Sequence, residues 1–344
     1  MNVVVVGGGA VGSFLGWTLA RAGHDVTLLR RHGDAGLRRE AVSLVEPSGG
    51  QGQAADVWTA TRPEDAPASP DLVLLAVKMP DLAGAIETAG EWPDANLLAV
   101  ENGVGADEML AAGRPGGALI AGSLTAAVER DAGTVHRLSR GGIGLAPVRG
   151  EVDATVGSLA GGFAAGGLRA ATYRDAAAMR WSKLLVNLLG NATSALLDRD
   201  PGEIYADPAL FAVERRQLRE ALDVMRLLHL SPVSLPGADT RLLARGMRLP
   251  SRLLQPVLRH AVSGGRGGKS PSLRLHLESG SGPSEVAWLN GAVASTAVRF
   301  GRRAPVNAVL AALVEQCSND PGRRAWLRDR PDRLLAALEE TPAS

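Results

Sequence analysis

Short apolar runs with little alternation mark the first half of the chain. Val3–Val6, Val26–Leu29, Asp71–Val77 and Leu97–Val100 read as strands buried on both faces. Further strands are predicted at Ala118–Ser123, Thr134–Leu138 and Gly142–Ala146. Helical stretches and turns separate them, a rhythm that predicts a parallel, doubly wound α/β sheet of Rossmann type over residues 1–172. From Tyr173 the apolar spacing changes to about 3.6 residues. Helices are predicted at Arg180–Leu197, Pro208–Leu228, Thr240–Met247, Ser251–Ala261, Glu285–Phe300 and Val306–Gln316, so residues 173–344 form an all-α second domain. Gly264–Gly268 reads as a flexible loop.

Composition agrees with two globular domains. The chain has 344 residues, 45% of them hydrophobic and only 3% aromatic, so Leu, Val and Ala must build the cores. Lys and Arg total 37 against 36 acids, which leaves no global field for nucleic acid or anionic lipid. Residues 240–275 hold seven arginines and Lys269 with no acid, but they recur along amphipathic helices and suit a solvent face or a cofactor phosphate. The lone Cys317 excludes an internal disulfide framework and a cysteine zinc site, and the histidines lack ligand spacing, so no metal is implied. With no apolar run of about 18 residues and no signal-like start, a cytoplasmic protein without membrane contact is expected.

Gly7-Gly8-Gly9-Ala10-Val11-Gly12 satisfies G-x-G-x-x-G. Alone the pattern is weak, but here it follows a four-valine strand and opens a helical stretch, Ala10–Ala22. The turn Gly23-His24 and a second strand then complete a βαβ unit of about 30 residues. That setting favours a pyrophosphate site over a merely structural glycine turn. The backbone of Gly7, Gly9, Ala10, Val11 and Gly12 is expected to meet the dinucleotide. Where a carboxylate would bind a ribose 2′-hydroxyl, Arg30 and Arg31 stand instead, which suits a 2′-phosphate and favours NADPH over NADH.

Lys183, Asn187 and Asn191 recur every four residues among Leu, Val and Ala. On one continuous helix each step turns about 40°, so all three share a sector of about 80°. Buried unpaired, they would cost several kcal/mol, so they should face a polar cavity or a ligand. The plainer alternative is a snorkelling lysine with asparagines bonded to nearby backbone. A lysine in a cleft is a competent proton donor. Farther on, Glu285 begins an amphipathic helix that includes Val286, Leu289 and Val293. By itself it would only complement a helix dipole. Gly264–Ser270 ends in Gly-Lys-Ser, but the first glycine of a P-loop would fall on Ser263, so that motif fails.

Taken in order, these motifs resemble the ketopantoate reductase (2-dehydropantoate 2-reductase) family over nearly the full length. They are the glycine turn with Gly23-His24 and a basic second-strand end, Val77-Lys78, Asn102-Gly103 and the Lys183/Asn187/Asn191 helix. Ser272, Glu285 with Leu289-Asn290-Gly291, and Pro305-Val306-Asn307 complete the series. The resemblance implies NADPH-dependent reduction of ketopantoate to pantoate for pantothenate and coenzyme A synthesis, with the active site between the domains. It makes Arg31 the partner of the 2′-phosphate, with Lys78 and Asn102 on the cofactor side. It makes Lys183 the general acid, Asn102, Asn187, Asn191 and Ser272 substrate-binding residues, and Glu285 the second active-site acid. A homodimer is one assembly left open. Glu101 replaces the usual glutamine before Asn-Gly, Ala287 an aspartate and Lys269 an asparagine, which bears on the substrate more than on the reaction. Two other readings stay open: reduction of a different 2-oxo acid, and a non-catalytic NADPH sensor.

Overall fold

The computed structural model describes residues 1–49, 52–113, 117–131, 133–150, 153–264, 270–280 and 283–340. Lys269 and the expected loop beyond Gly264 lie outside these residues. The chain divides into two compact units. One comprises Met1–Glu101, Gly105–Arg180 and Leu235–Ala238, the other Asn102–Val104, Trp181–Ser234 and Asp239–Ser344. The crossing thus falls at Arg180–Trp181 rather than at residue 172, and two short segments trade sides. The first turn of the crossing helix belongs with the sheet because Arg180 is anchored there, as described below.

Among the described residues, eleven strands build the first unit: β1 (Asn2–Val6), β2 (Asp25–Leu29), β3 (Arg38–Val45), β4 (Gln53–Ala60), β5 (Leu72–Leu75), β6 (Asn96–Ala99), β7 (Leu119–Leu124), β8 (Val128–Asp131), β9 (Thr134–Arg137), β10 (Gly142–Arg149) and β11 (Arg169–Thr172). They form one sheet in the order β11-β10-β7-β6-β5-β1-β2-β4-β3-β9-β8. The centre is parallel, with Val4 of β1 opposite Thr27 on one side and Val73 on the other. Val3, Val4 and Val5 are fully buried, which is why four consecutive valines suit this strand.

The expected parallel, doubly wound core is thus present, and the sheet as a whole is mixed: β3–β4, β7–β10 and β8–β9 pair antiparallel. β3 is hidden in the sequence by its charges. Only Val42 and Leu44 of Arg38–Val45 are buried, the alternation of a strand with one solvated face. Helices α1 (Ala10–Arg21), α2 (Leu82–Ala89), α3 (Ala106–Gly113) and α4 (Asp153–Ala165) accompany the sheet. Phe14, Leu15 and Leu19 of α1 share one core with Val3, Val5, Leu28 and Phe163.

Helices α5 (Ala176–Leu188), α6 (Asn191–Leu197), α7 (Pro201–Ile204), α8 (Pro208–Leu227) and α9 (Thr240–Gly246) follow. They lead to α10 (Ser251–Gly264), α11 (Ser272–Ser279), α12 (Asn290–Arg299), α13 (Pro305–Asn319), α14 (Pro321–Leu327) and α15 (Pro331–Glu339). The second unit is all-helical, with a core that includes Leu184, Tyr205, Phe211, Leu218, Val293 and Leu310. Among the described residues no helix is long and apolar enough to cross a membrane.

Two buried ionisable groups lie where the sheet ends. Arg180 donates to the carbonyls of Ala99 (3.0 Å), Glu101 (2.8 Å) and Gly122 (2.9 Å), and its other hydrogen bonds go to Asp107 at 2.8 and 3.3 Å. It therefore satisfies carbonyls of both the β6 end and β7. Glu101 itself is 4% exposed, and neither carboxyl oxygen has a hydrogen-bond partner. Desolvation pushes its pKa up to about 8 against the opposing charge of Arg180. At neutral pH the side chain is a neutral acid of nearly the shape of glutamine, so the departure from the family pattern is muted.

Replacing Arg180 by Met leaves three carbonyls and Asp107 unpaired, and should lower unfolding free energy by about 3–5 kcal/mol in chemical denaturation. Glu101 has the opposite kind of liability. Its folded pKa of about 8 exceeds the ordinary 4.5, so the folded protein keeps a proton that the unfolded chain releases. The resulting stability is complete below the unfolded value, falls by about 1.4 kcal/mol per pH unit up to the folded value, and is constant above it. Glu101→Gln should therefore match the parent in acid and exceed it increasingly up to pH about 8. Equal slopes for both proteins across that window would show that Glu101 is ionised when folded.

Candidate active site

In the first unit the glycine turn is dictated by space. Gly7 has φ +110°, and a Cβ there would lie 2.6 Å from the carbonyl oxygen of Ala76. A Cβ on Gly12 would lie 1.9 Å from the carbonyl oxygen of Gly7, so only glycine lets the helix sit on the strand end. At Gly9 a Cβ would meet nothing within 4 Å. That open approach sits at the N-terminus of α1, which has no side-chain cap and no acid in its first turn. First-turn amides have no acceptor within their helix, so Ala10 and Val11 lie where an anionic pyrophosphate would be received. The residues present fit a dinucleotide.

The arginines at the end of β2 divide into two kinds. Arg30 crosses Gly8, where a Cβ would come within 2.5 Å of its Cγ. Its guanidinium makes two hydrogen bonds to Glu40, at 2.6 and 2.9 Å. Those bonds hold the Glu40 carboxyl below its usual range. Arg130, not singled out from the sequence, donates to the Gly8 carbonyl at 2.8 Å. Arg30 is thus engaged within the turn, paired with Glu40. Arg31 is exposed and ion-paired to Asp81 at 2.7 Å. Lys78 is exposed, at the start of the 3₁₀ turn Met79–Asp81 after β5.

In the second unit Lys183 and Asn187 lie one turn apart on α5, both half-buried. Asn187 donates to the side-chain oxygen of Asn102 at 3.3 Å. The segment carrying Asn102 is held from another direction as well. Gly103 has φ +93°, and a Cβ there would lie 2.5 Å from the carbonyl oxygen of Trp288. That carbonyl accepts the Val104 amide at 3.1 Å. Asn102–Val104 therefore joins α5 to the segment that contains Glu285.

Two expectations are corrected here. Lys183, Asn187 and Asn191 do not share one continuous helix, because α5 ends at Leu188 and Gly190 is left-handed at φ +60°. Glu285 begins a 3₁₀ turn, Glu285–Trp288, rather than α12; Leu289 intervenes with ψ −101°. Beyond the first break Asn191 is buried. Its amide donates to the Ser272 hydroxyl at 3.3 Å, and its oxygen accepts the Leu273 amide at 3.1 Å. Asn191 thus secures the first turn of α11 and with it Ser272, which is exposed.

The break in α5 is braced by residues that sequence reasoning missed. Glu214 on α8 is fully buried and accepts from the Gly190 amide (2.7 Å), Thr193 (2.6 Å) and Tyr205 (2.8 Å). Burial pushes its carboxyl up against the pull of those donors. Gln217 donates to the Leu188 carbonyl at 3.2 Å and accepts from Asn290 at 2.9 Å. Asn290 also donates to Asn307, whose own amide reaches Glu220 at 2.7 Å. Asn290 and Asn307, read only as family motif residues, are internal braces. Arginines between Glu214, Gln217 and Glu220 made that stretch resemble a solvated helix face; the spacing of three was the available signal. Among the described residues there is no cluster of three or more potential metal ligands.

Two models of one family match the chain: "Ketopantoate reductase PanE/ApbA" over residues 3–150 and its C-terminal counterpart over 175–318. A 2-dehydropantoate 2-reductase of Halobacterium salinarum is 29% identical over 93% of this chain and 100% of its own. The crystal structure of a PanE/ApbA family ketopantoate reductase from Ralstonia eutropha superposes with TM-score 0.75 at 26% identity, covering 93% of this chain and 99% of that one. D-mandelate dehydrogenase, solved with NADH and anilino(oxo)acetate, shares the fold at TM-score 0.71 and 18% identity, over 93% and 99% of the two chains. The chain belongs to the ketopantoate reductase family.

Proposed function

We propose that this protein reduces 2-dehydropantoate (ketopantoate) to pantoate with NADPH, in pantothenate and coenzyme A biosynthesis. One observation carries the reading: one helical turn beyond Lys183, Asn187 is hydrogen-bonded to Asn102, whose segment is also held by the Trp288 carbonyl. Three segments far apart in sequence, each bearing a motif of the family, meet there. Arg31 supports the choice of NADPH, being an exposed guanidinium at a strand end that lacks the usual carboxylate.

A cofactor bound at the glycine turn supplies the hydride for the keto carbon. Protein side chains manage charge and position. The ammonium of Lys183 stabilises negative charge on the keto oxygen and gives it the proton that completes the hydroxyl. Asn102, Asn187 and Ser272 hold the carboxylate and hydroxyl groups of the substrate. Asn191 acts through Ser272, since its amide already serves Ser272 and Leu273. Glu285 orients the substrate. A different 2-oxo acid is the second reading. Ala287 favours it, an exposed methyl within the Glu285–Trp288 turn where the family pattern has an aspartate.

Lys183→Ala should lower kcat by roughly 10²–10⁴ and leave NADPH affinity unchanged. Undiminished turnover would remove Lys183 from the chemistry. The substrate is decided by NADPH oxidation with a panel of 2-oxo acids. Ketopantoate should give the highest kcat/KM, and simple 2-oxo acids turned over as well or better would establish the second reading.

A further inference from the structure

The turn that receives the cofactor is surrounded by charges that are already partnered. Glu40 takes up Arg30 through two hydrogen bonds, and Arg130 is tied to the Gly8 carbonyl. Arg31 alone of the three is mostly exposed, at 68%, and its Nη2 lies 2.7 Å from Oδ2 of Asp81. Asp81 is 39% exposed and sits immediately before α2. A carboxylate therefore occupies the guanidinium that a 2′-phosphate would use. We propose that Asp81 is a specificity-determining residue that competes with the 2′-phosphate for Arg31 and so sets the preference between NADPH and NADH. This inference rests on the reading of Arg31 as the 2′-phosphate partner.

The physical argument concerns exchange. A 2′-phosphate brings more charge than a carboxylate and three acceptor oxygens, so it displaces Asp81 from Arg31. Displacement leaves Asp81 unpaired beside a new dianion, which offsets part of the gain. NADH carries only hydroxyls on that ribose and leaves the Arg31–Asp81 pair intact. Asp81 thus opposes one cofactor and is neutral toward the other. Both partners are solvated, which limits the size of the effect.

The test measures binding and needs no turnover. Kd for NADPH and for NADH is determined by nicotinamide fluorescence titration on the parent, Asp81→Asn and Arg31→Ala proteins, with thermal unfolding to verify that each is folded. Asp81→Asn should tighten NADPH roughly two- to five-fold, the scale of an exposed ion pair, and leave NADH unchanged. Arg31→Ala should weaken NADPH selectively. If it does so while Asp81→Asn leaves NADPH unchanged, weakens it, or tightens both cofactors equally, the competition is overturned and Arg31's role stands. If Arg31→Ala leaves NADPH binding intact, the reading of Arg31 itself fails, and the proposal with it.

Discussion

Glu214, Gln217 and Glu220 line one face of α8, and the helical unit is organised around the polar groups they satisfy. A left-handed residue between α5 and α6 leaves backbone groups without helical partners in a buried place. Glu214 receives the Gly190 amide, and Gln217 reaches the Leu188 carbonyl. Without those bonds the break would be costly, and α5 would gain by running straight on. Straightened, it would carry Asn191 away from Ser272 and Leu273, which its amide now secures. The same face continues through Asn290 and Asn307 to the start of α13. One row of side chains thus fixes both the α5–α6 break and the helix that follows the Glu285 turn.

The first unit solves its problem with space rather than with hydrogen bonds. A methyl at Gly7 or Gly12 would collide with backbone, whereas one at Gly9 would meet nothing within 4 Å. Crowded glycines bring strand and helix together; the uncrowded one leaves the helix terminus open to a ligand. Guanidinium groups then stiffen the surroundings. Arg30 and Arg130 are engaged within the turn, while Arg31 is mostly exposed and paired to Asp81 at the surface.

In both units burial raises a carboxyl, and donors or a nearby cation pull it back. Glu214 is raised despite the Gly190, Thr193 and Tyr205 donors directed at it, and at Glu101, where the main opposing pull is the charge of Arg180, the pKa still stands at about 8. Protonation lets Glu101 sit buried without burying a charge. Arg180, equally buried, is tolerated because four separate acceptor groups surround it.

Periodicity in the sequence was enough for the alternating first domain, the helical second one and the glycine turn, because each depends on local spacing and on what a missing Cβ allows. The motifs in their order were enough for the family. Strands β3 and β4 escaped, since a sheet with one solvated face can be built from Arg, Glu and Asp that look like a loop. The surroundings of the arginines were also beyond reach: Arg30 and Arg31 are neighbours in the chain but differ in burial and partner, a difference set by Glu40 and Asp81 from distant elements. Likewise the four-residue rhythm of Lys183, Asn187 and Asn191 describes a straight helix, and only tertiary contacts bend it. Spacing along a chain determines which groups share a local face. Which of them remain available for chemistry depends on the partners that folding brings, and those come from elsewhere in the sequence.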